Sequence, residues 1–368
     1  TSGYAGANVS VRVELLAAAP PGGVVLDLVS SQPGVIAAPA TVTIAAGATS
    51  GSFNTVLGAV NDDTAVQVRA SFAGTTVSGG IVVRRPAPKS LTVAPATVFG
   101  GETATATVSL MGKAPTGGVV VALESMDQTV LTVPAQVTIA AGATSANFTV
   151  TSAVVDSNQS VLLTATVGPA AATASVTVRR NGPVSLSIAP NSIIGGASAN
   201  GKLTLQRPAP SGGLSVALTS TSPEAQVPST VLVPAGSRVA SFAITTSAVT
   251  ADLVAGIRAE RAGLVVSATV AIAAPVLSAV NVVPNRVTGG LGATGTVTLT
   301  GPAPASGLVV ELATSGPAAS VPATVVVPAG ALTVPFAIAT TPVAADTTVT
   351  IVAVQNLETK TAVLTVRK

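Results

Sequence analysis

The chain has 368 residues, of which 48% are hydrophobic, 8% charged and 2% aromatic, and its formal net charge is +3. So small a charge over this length argues against a nucleic-acid partner, and the absence of cysteine and histidine excludes disulfides, thiolate metal sites and histidine-based catalysis. Gly, Pro, Thr or Ser interrupts every apolar run before about 18 residues, so no membrane span is predicted.

An internal repeat organises the chain. The segment VTIAAGATS occupies residues 42–50 and 137–145, and weaker copies follow at 231–239 and 325–333. The copies lie 94–95 residues apart, and turns of the form AP-x-GG or AP-x-SG recur with the same spacing. A period of this length indicates one domain per repeat. The sequence therefore predicts four domains, with the bounds 1–86, 87–181, 182–275 and 276–368.

Alternating polarity predicts the secondary structure within each repeat. In one segment Ala104, Ala106, Val108 and Leu110 alternate with threonine and serine. A period of two is typical of a strand with one face on a core and the other in water. Seven or eight such strands per repeat, separated by Gly/Pro turns, give an all-β fold class of four tandem antiparallel immunoglobulin-like β-sandwich domains. Short junctions containing proline favour a rod-like arrangement.

The repeated nonamer itself is interpreted as structural. Its first residues form a buried strand, and its glycine marks a turn in which a positive φ favours glycine over other residues. A phenylalanine follows in the next strand, at a position that is the same in every repeat. The predicted structural residues are Gly47, Gly142, Gly236 and Gly330, with Phe53, Phe148, Phe242 and Phe336.

The first repeat is irregular, because its first strand is missing. Repeats two to four open with a strand such as SLTVAP before a double glycine, whereas the first reaches the equivalent Ala5-Gly6 after only four residues. One explanation is that the sequence begins inside the repeat. The other is an open sheet edge filled by a strand donated from a neighbouring subunit, which would make self-association the expected partnership.

Acidic residues recur after the repeated phenylalanine. Asp63, Asp252 and Asp346 lie ten residues beyond it, and Asp156 lies eight beyond it. One hypothesis is a calcium site at each turn, for which Asp62, Asp63 and Asp156 belong to the best local clusters. The alternative is an aspartate that closes a turn through the backbone, and the scarcity of other oxygen ligands favours it. No cofactor and no catalytic residue is predicted.

The pattern P-A-x-V-T-I-x-A-G-A-T-S-x-x-F at residues 39–53, with its copies, resembles the tandem bacterial immunoglobulin-like and fibronectin type III-like modules of adhesins, stalks and filaments. The resemblance covers the whole chain, and its motifs are turn and core residues. It implies an extracellular or cell-surface protein, and it transfers no binding residue.

Two functions follow from these observations. The first is a non-enzymatic structural protein, a rigid rod or a filament or surface-layer subunit. The second is an adhesin arm or spacer that binds a surface partner. The turns are nearly alike in all repeats, which favours the structural protein. Repeat three departs most, at 222–226 and 258–263, and a partner surface is expected there if one exists.

Overall fold

A computed structural model describes all 368 residues, which form 34 strands and no helix. The contacts divide the chain into two units, Thr1–Arg180 and Asn181–Lys368. Each unit contains two of the sequence repeats. The all-β fold of tandem immunoglobulin-like repeats is confirmed, while the exact bounds of the four domains stay a prediction.

The strands of the first repeat are β1 (Ser2–Tyr4), β2 (Asn8–Glu14), β3 (Val24–Ser30), β4 (Thr41–Ile44), β5 (Ser50–Val56), β6 (Thr64–Phe72) and β7 (Thr75–Arg84). Those of the second are β8 (Pro88–Ala94), β9 (Thr97–Phe99), β10 (Thr103–Leu110), β11 (Val119–Ser125), β12 (Leu131–Thr132), β13 (Gln136–Ile139), β14 (Ser145–Ser152), β15 (Gln159–Val167) and β16 (Ala170–Arg179).

The third repeat contains β17 (Pro183–Ala189), β18 (Ser192–Ile194), β19 (Ser198–Leu205), β20 (Leu214–Ser220), β21 (Ala225–Gln226), β22 (Thr230–Val233), β23 (Val239–Thr246), β24 (Leu253–Arg261) and β25 (Leu264–Ala273). The fourth contains β26 (Leu277–Val283), β27 (Arg286–Thr288), β28 (Ala293–Leu299), β29 (Leu308–Thr314), β30 (Ala319–Ser320), β31 (Thr324–Val327), β32 (Thr333–Thr340), β33 (Thr347–Gln355) and β34 (Glu358–Arg367).

Repeats two to four share one topology of two sheets. In the second repeat, the larger sheet has the order β13-β11-β15-β16-β9 and the smaller one β12-β14-β10-β8. Neighbours are antiparallel except β9 and β16, which are parallel. Nine strands form where seven or eight were predicted. The cis Ala94–Pro95 peptide separates β8 from β9, and the two-residue β12 adds a further strand.

The predicted alternation decides which side chains enter the core. In β10, Ala104, Ala106, Val108 and Leu110 are buried, and the intervening polar residues face outward. Full burial of a branched apolar side chain contributes roughly 1.5–3 kcal/mol. Each of repeats two to four forms one continuous cluster of such residues, so each has a core of its own.

The first repeat differs in its smaller sheet. That sheet contains only β2 and β5, because no strand equivalent to β8 or β12 is present. The residues Ser2–Tyr4 form β1, the equivalent of β9, so the first strand that the sequence lacks is the equivalent of β8. The core of this repeat is correspondingly divided into two clusters, both of which contact Phe53.

Candidate functional site

A parallel pairing, which we call the terminal clasp, joins the last strand of each repeat to its second strand in repeats two to four and to β1 in repeat one. The clasps are β1 with β7, β9 with β16, β18 with β25, and β27 with β34. In the second repeat the Thr177 amide donates to the Ala96 carbonyl (2.9 Å), and the Gly100 amide donates to the Arg179 carbonyl (2.9 Å). The same two bonds, 2.8–3.0 Å long, flank the clasps of the third and fourth repeats. The clasp therefore ties a strand near the start of each repeat to the strand at which the chain leaves it.

A carboxylate or amide oxygen holds the end of every last strand. The position ten residues after the repeated phenylalanine supplies it, and the donor is the backbone amide 22 residues further on. The pairs are Asp63 with Arg85 (2.9 Å), Asn158 with Arg180 (3.1 Å), Asp252 with Ala274 (2.8 Å) and Asp346 with Lys368 (3.0 Å). The side chain at this position therefore binds the backbone directly after the last strand of its repeat, and its role is not limited to its own turn.

The calcium candidates lie at these strand ends. Asp63 accepts hydrogen bonds from the Arg85 amide and the Arg84 guanidinium (3.2 Å), and the Asp62 carbonyl accepts one from the Thr64 hydroxyl (2.8 Å). Asp156 is not the equivalent of Asp63, because Asn158 occupies that position. No group of three acidic, cysteine or histidine side chains lies together anywhere in the chain. Calcium also accepts carbonyl and amide oxygens, so the calcium site at each turn stays a hypothesis.

The repeated glycines and phenylalanines lie at turns and in the cores. Gly47, Gly142, Gly236 and Gly330 have φ values of 75–78°, which places them in the left-handed region. Phe148, Phe242 and Phe336 are buried, whereas Phe53, in the smaller sheet of repeat one, is half-buried.

Glycine has a second role that the sequence-based predictions do not include. A Cβ on Gly295 would lie 2.1 Å from Cζ of Phe336, and one on Gly201 would lie 2.3 Å from Cζ of Phe242. Both glycines lie inside strands, where an isolated glycine often marks a close approach, so this signal was available.

Close backbone contacts join the two repeats inside each unit. In unit 1 the Lys113 amide donates to the Ala5 carbonyl (3.1 Å), and a Cβ on Gly112 would lie 2.9 Å from that oxygen. In unit 2 a Cβ on the equivalent Gly301 would lie 2.4 Å from the Ile194 side chain. A side chain at either glycine would force the two repeats apart, so glycine is required for this packing.

The charges that distinguish repeat three have partners inside unit 2. Arg258 pairs with Glu260 (2.6 Å), and Arg261 donates to the Asn181 carbonyl (2.9 Å). The Ser222 hydroxyl donates to Glu224 and holds the pKa of that carboxyl below its usual value. These charges therefore have partners within the chain, and a partner surface at repeat three stays a prediction.

The chain resembles solved structures of other tandem-repeat proteins. It matches the bacterial integrin-binding protein invasin with 14% identity and a TM-score of 0.33, over 98% of this chain and 79% of that one. A tetra-tandem repeat from the extending region of a large adhesion protein matches with 18% identity and a TM-score of 0.32, over 99% and 98%. The Yersinia pseudotuberculosis adhesin InvE matches with 16% identity and a TM-score of 0.28, over 50% and 58%.

At these identities and TM-scores the similarity carries no information on a ligand or partner. The sequence matches no protein-family model and has no significant match among curated proteins. The chain contains no helix long and apolar enough to cross a membrane.

Proposed function

We propose that the chain is a non-enzymatic extracellular structural protein whose β-sandwiches transmit tension from one repeat to the next. The terminal clasp is the observation that supports this function. In repeats two to four the chain passes through one strand of the smaller sheet, such as β8, directly before it reaches the clasp, and it leaves each repeat at the end of the last strand. Tension along the chain therefore acts on the clasp once that first strand has detached, and it acts there between two parallel strands that are paired side by side.

Parallel pairing determines how the clasp responds to that tension. When the start of β9 and the end of β16 are pulled in opposite directions, the force acts along the strands and loads their hydrogen bonds together. A hairpin pulled at its two ends would instead lose its bonds one at a time. Shear loading thus requires several bonds to fail at once, which suits a load-bearing spacer.

The strand exits and the junctions support the same function. The Asp63 and Asp252 carboxylates hold the amides at the ends of their repeats, and such charge-assisted bonds are stronger than neutral ones. Pro86 and Pro275, at the two junctions inside the units, are buried. Tension therefore reaches the clasp through short connections that are already packed.

Single-molecule stretching of the whole chain tests this proposal, because a chain without cysteine accepts one engineered cysteine at each end as a unique attachment point. We expect four unfolding events. Thr177→Pro removes the amide that donates to Ala96 and should lower the force of one event, while Thr177→Ala retains the amide and should leave it unchanged. The other three repeats serve as internal standards.

Equal forces in the Thr177→Pro and Thr177→Ala chains would contradict the clasp as the load-bearing element. Unfolding of all repeats at low force, without distinct events, would favour the adhesive-arm alternative.

A further inference from the structure

In unit 2 the third and fourth repeats interlock through two glycines. A Cβ on Gly301 would lie 2.4 Å from the Ile194 side chain, and one on Gly196 would lie 2.4 Å from Cγ of Pro302. Ile194 and Gly196 belong to the third repeat, whereas Gly301 and Pro302 belong to the fourth. Each repeat therefore supplies one projecting side chain and one glycine that receives the side chain of its neighbour. We call these four residues the glycine lock.

Unit 1 contains the same arrangement at the equivalent positions. A Cβ on Gly112 would lie 2.9 Å from Cβ of Tyr4, and one on Gly6 would lie 3.3–3.5 Å from three side-chain carbons of Lys113. The projecting side chains are tyrosine and lysine here, in place of isoleucine and proline. The two glycines are the same in both units, because each approach is too close for a larger residue.

The glycine lock lies at the end of a clasp. Ile194 is the last residue of β18 and is opposite Ala273 in the pairing with β25. The amide of the next residue, Gly195, donates to the Ala273 carbonyl (3.0 Å) and closes the clasp of the third repeat. The fourth repeat therefore packs directly on the clasp strand of the third.

The junction inside unit 2 leads from the clasp to the same loop of the fourth repeat. From Ala273 the chain continues through the buried Pro275 to Val276. The Val276 amide donates to the Thr300 hydroxyl (3.0 Å), and the Thr300 amide donates to the Val276 carbonyl (2.9 Å). Because Thr300 directly precedes Gly301, the clasp, the junction and the glycine lock form one closed path of contacts.

We propose that the second repeat of each unit stabilises the clasp of the first, so that the two repeats are thermodynamically coupled. Opening β18 from β25 would move Ile194 away from Gly301, so it would break the glycine lock as well as the clasp. In tandem repeats the interface with a neighbour adds to the intrinsic stability of each repeat. Here that contribution acts on a clasp strand.

Only the mechanical consequence of this coupling rests on the proposed function. If the clasp bears tension, a folded second repeat would raise the force at which the first repeat of its unit opens. The coupling itself exists without tension, so it can be measured at equilibrium.

Hydrogen exchange of the whole chain, followed by mass spectrometry, tests the coupling without applied force. Gly301→Val places a side chain in the fourth repeat that collides with Ile194 of the third. Gly301 has no positive φ, so the substitution brings no left-handed backbone strain. We expect amide exchange in peptides that contain β18 and Gly195 to become about tenfold faster.

Gly295→Ala is the matched control, because its new Cβ meets the ring of Phe336 inside the fourth repeat and not the glycine lock. It should speed exchange in the fourth repeat and leave that of β18 unchanged. Ile194→Ala together with Gly301→Val exchanges the positions of the large and the small side chain. This double variant should regain most of the protection of β18 that Gly301→Val loses.

Unchanged exchange of β18 in the Gly301→Val chain would overturn the proposal, and so would equal acceleration of β18 by Gly295→Ala. If Gly301→Val unfolds the fourth repeat, the milder Gly301→Ala is measured with and without Ile194→Ala. Equal exchange of β18 in those two chains would then overturn the proposal. These outcomes are independent of the load-bearing role of the clasp, which the Thr177 variants test.

Discussion

The buried side chain of Asn181 provides a quantitative test of how the chain enters unit 2. Its amide nitrogen donates to the carbonyls of Arg207 (3.1 Å) and Pro208 (3.2 Å), and its side-chain oxygen accepts from the Arg207 amide (3.2 Å). The residue is 1% exposed. Asn181→Ala would remove all three bonds, while the Asn181 carbonyl would keep its bond from Arg261.

The expected loss follows from these three bonds. A net contribution of about 1 kcal/mol for each gives a fall of about 3 kcal/mol in the free energy of unfolding of repeat three. Asn181→Asp should lose at least as much, because a carboxylate cannot donate to the two carbonyls and would bring a charge into a buried position. Asn200→Ala, at an exposed position of β19, should change stability by less than about 0.5 kcal/mol.

Hydrogen exchange followed by mass spectrometry measures this change inside the whole chain, because peptides from β17 and β24 report on repeat three and peptides from unit 1 serve as the reference. A loss below about 0.5 kcal/mol in Asn181→Ala would refute the assignment of these three bonds as the anchor of the third repeat.

Two further predictions concern a packing contact and an ionisable group. Gly295→Ala should destabilise the fourth repeat by about 1–3 kcal/mol, because the new Cβ meets the ring of Phe336, and a shift in the melting of that repeat by calorimetry would measure it. The Thr129 hydroxyl donates to Asp127 (2.6 Å) and holds the pKa of that carboxyl below its usual value. Because the pKa of this carboxyl is lower in the folded than in the unfolded state, its ionised form stabilises the fold at any pH above the unfolded-state pKa. That contribution is lost as the pH falls through the folded-state pKa. Thr129→Val should raise the pKa of Asp127 in an NMR titration, and an unchanged titration midpoint would contradict the assigned cause.

The residues ten positions after the repeated phenylalanine could be assigned from the sequence only in part. Their common position identifies Asp63, Asp252 and Asp346, whereas a search for charge selects Asp156 in the second repeat. The structure places Asn158 there, since an amide oxygen accepts a backbone hydrogen bond as a carboxylate does. The partner amide lies 22 residues away, so no local pattern identifies it.

The sequence by itself determined most of the strands, their buried faces and the turns, but not the short strands such as β12. These features depend on neighbouring residues: a period of two assigns the faces of β10, and a positive φ selects glycine at Gly47. The sequence also indicated that the first repeat lacks its first strand, because this repeat can be compared with the other three.

Only the tertiary structure decided which strands pair with each other and which side chains are in contact. It placed β9 parallel to β16, brought the ring of Phe336 over Gly295, and paired the backbone amide of Arg180 with Asn158. Each of these contacts joins residues far apart in the chain. The energies of these contacts depend on interatomic distances that are set only when the two sheets pack together. Neither the hydrophobic period nor the amino-acid composition of the sequence therefore predicts them.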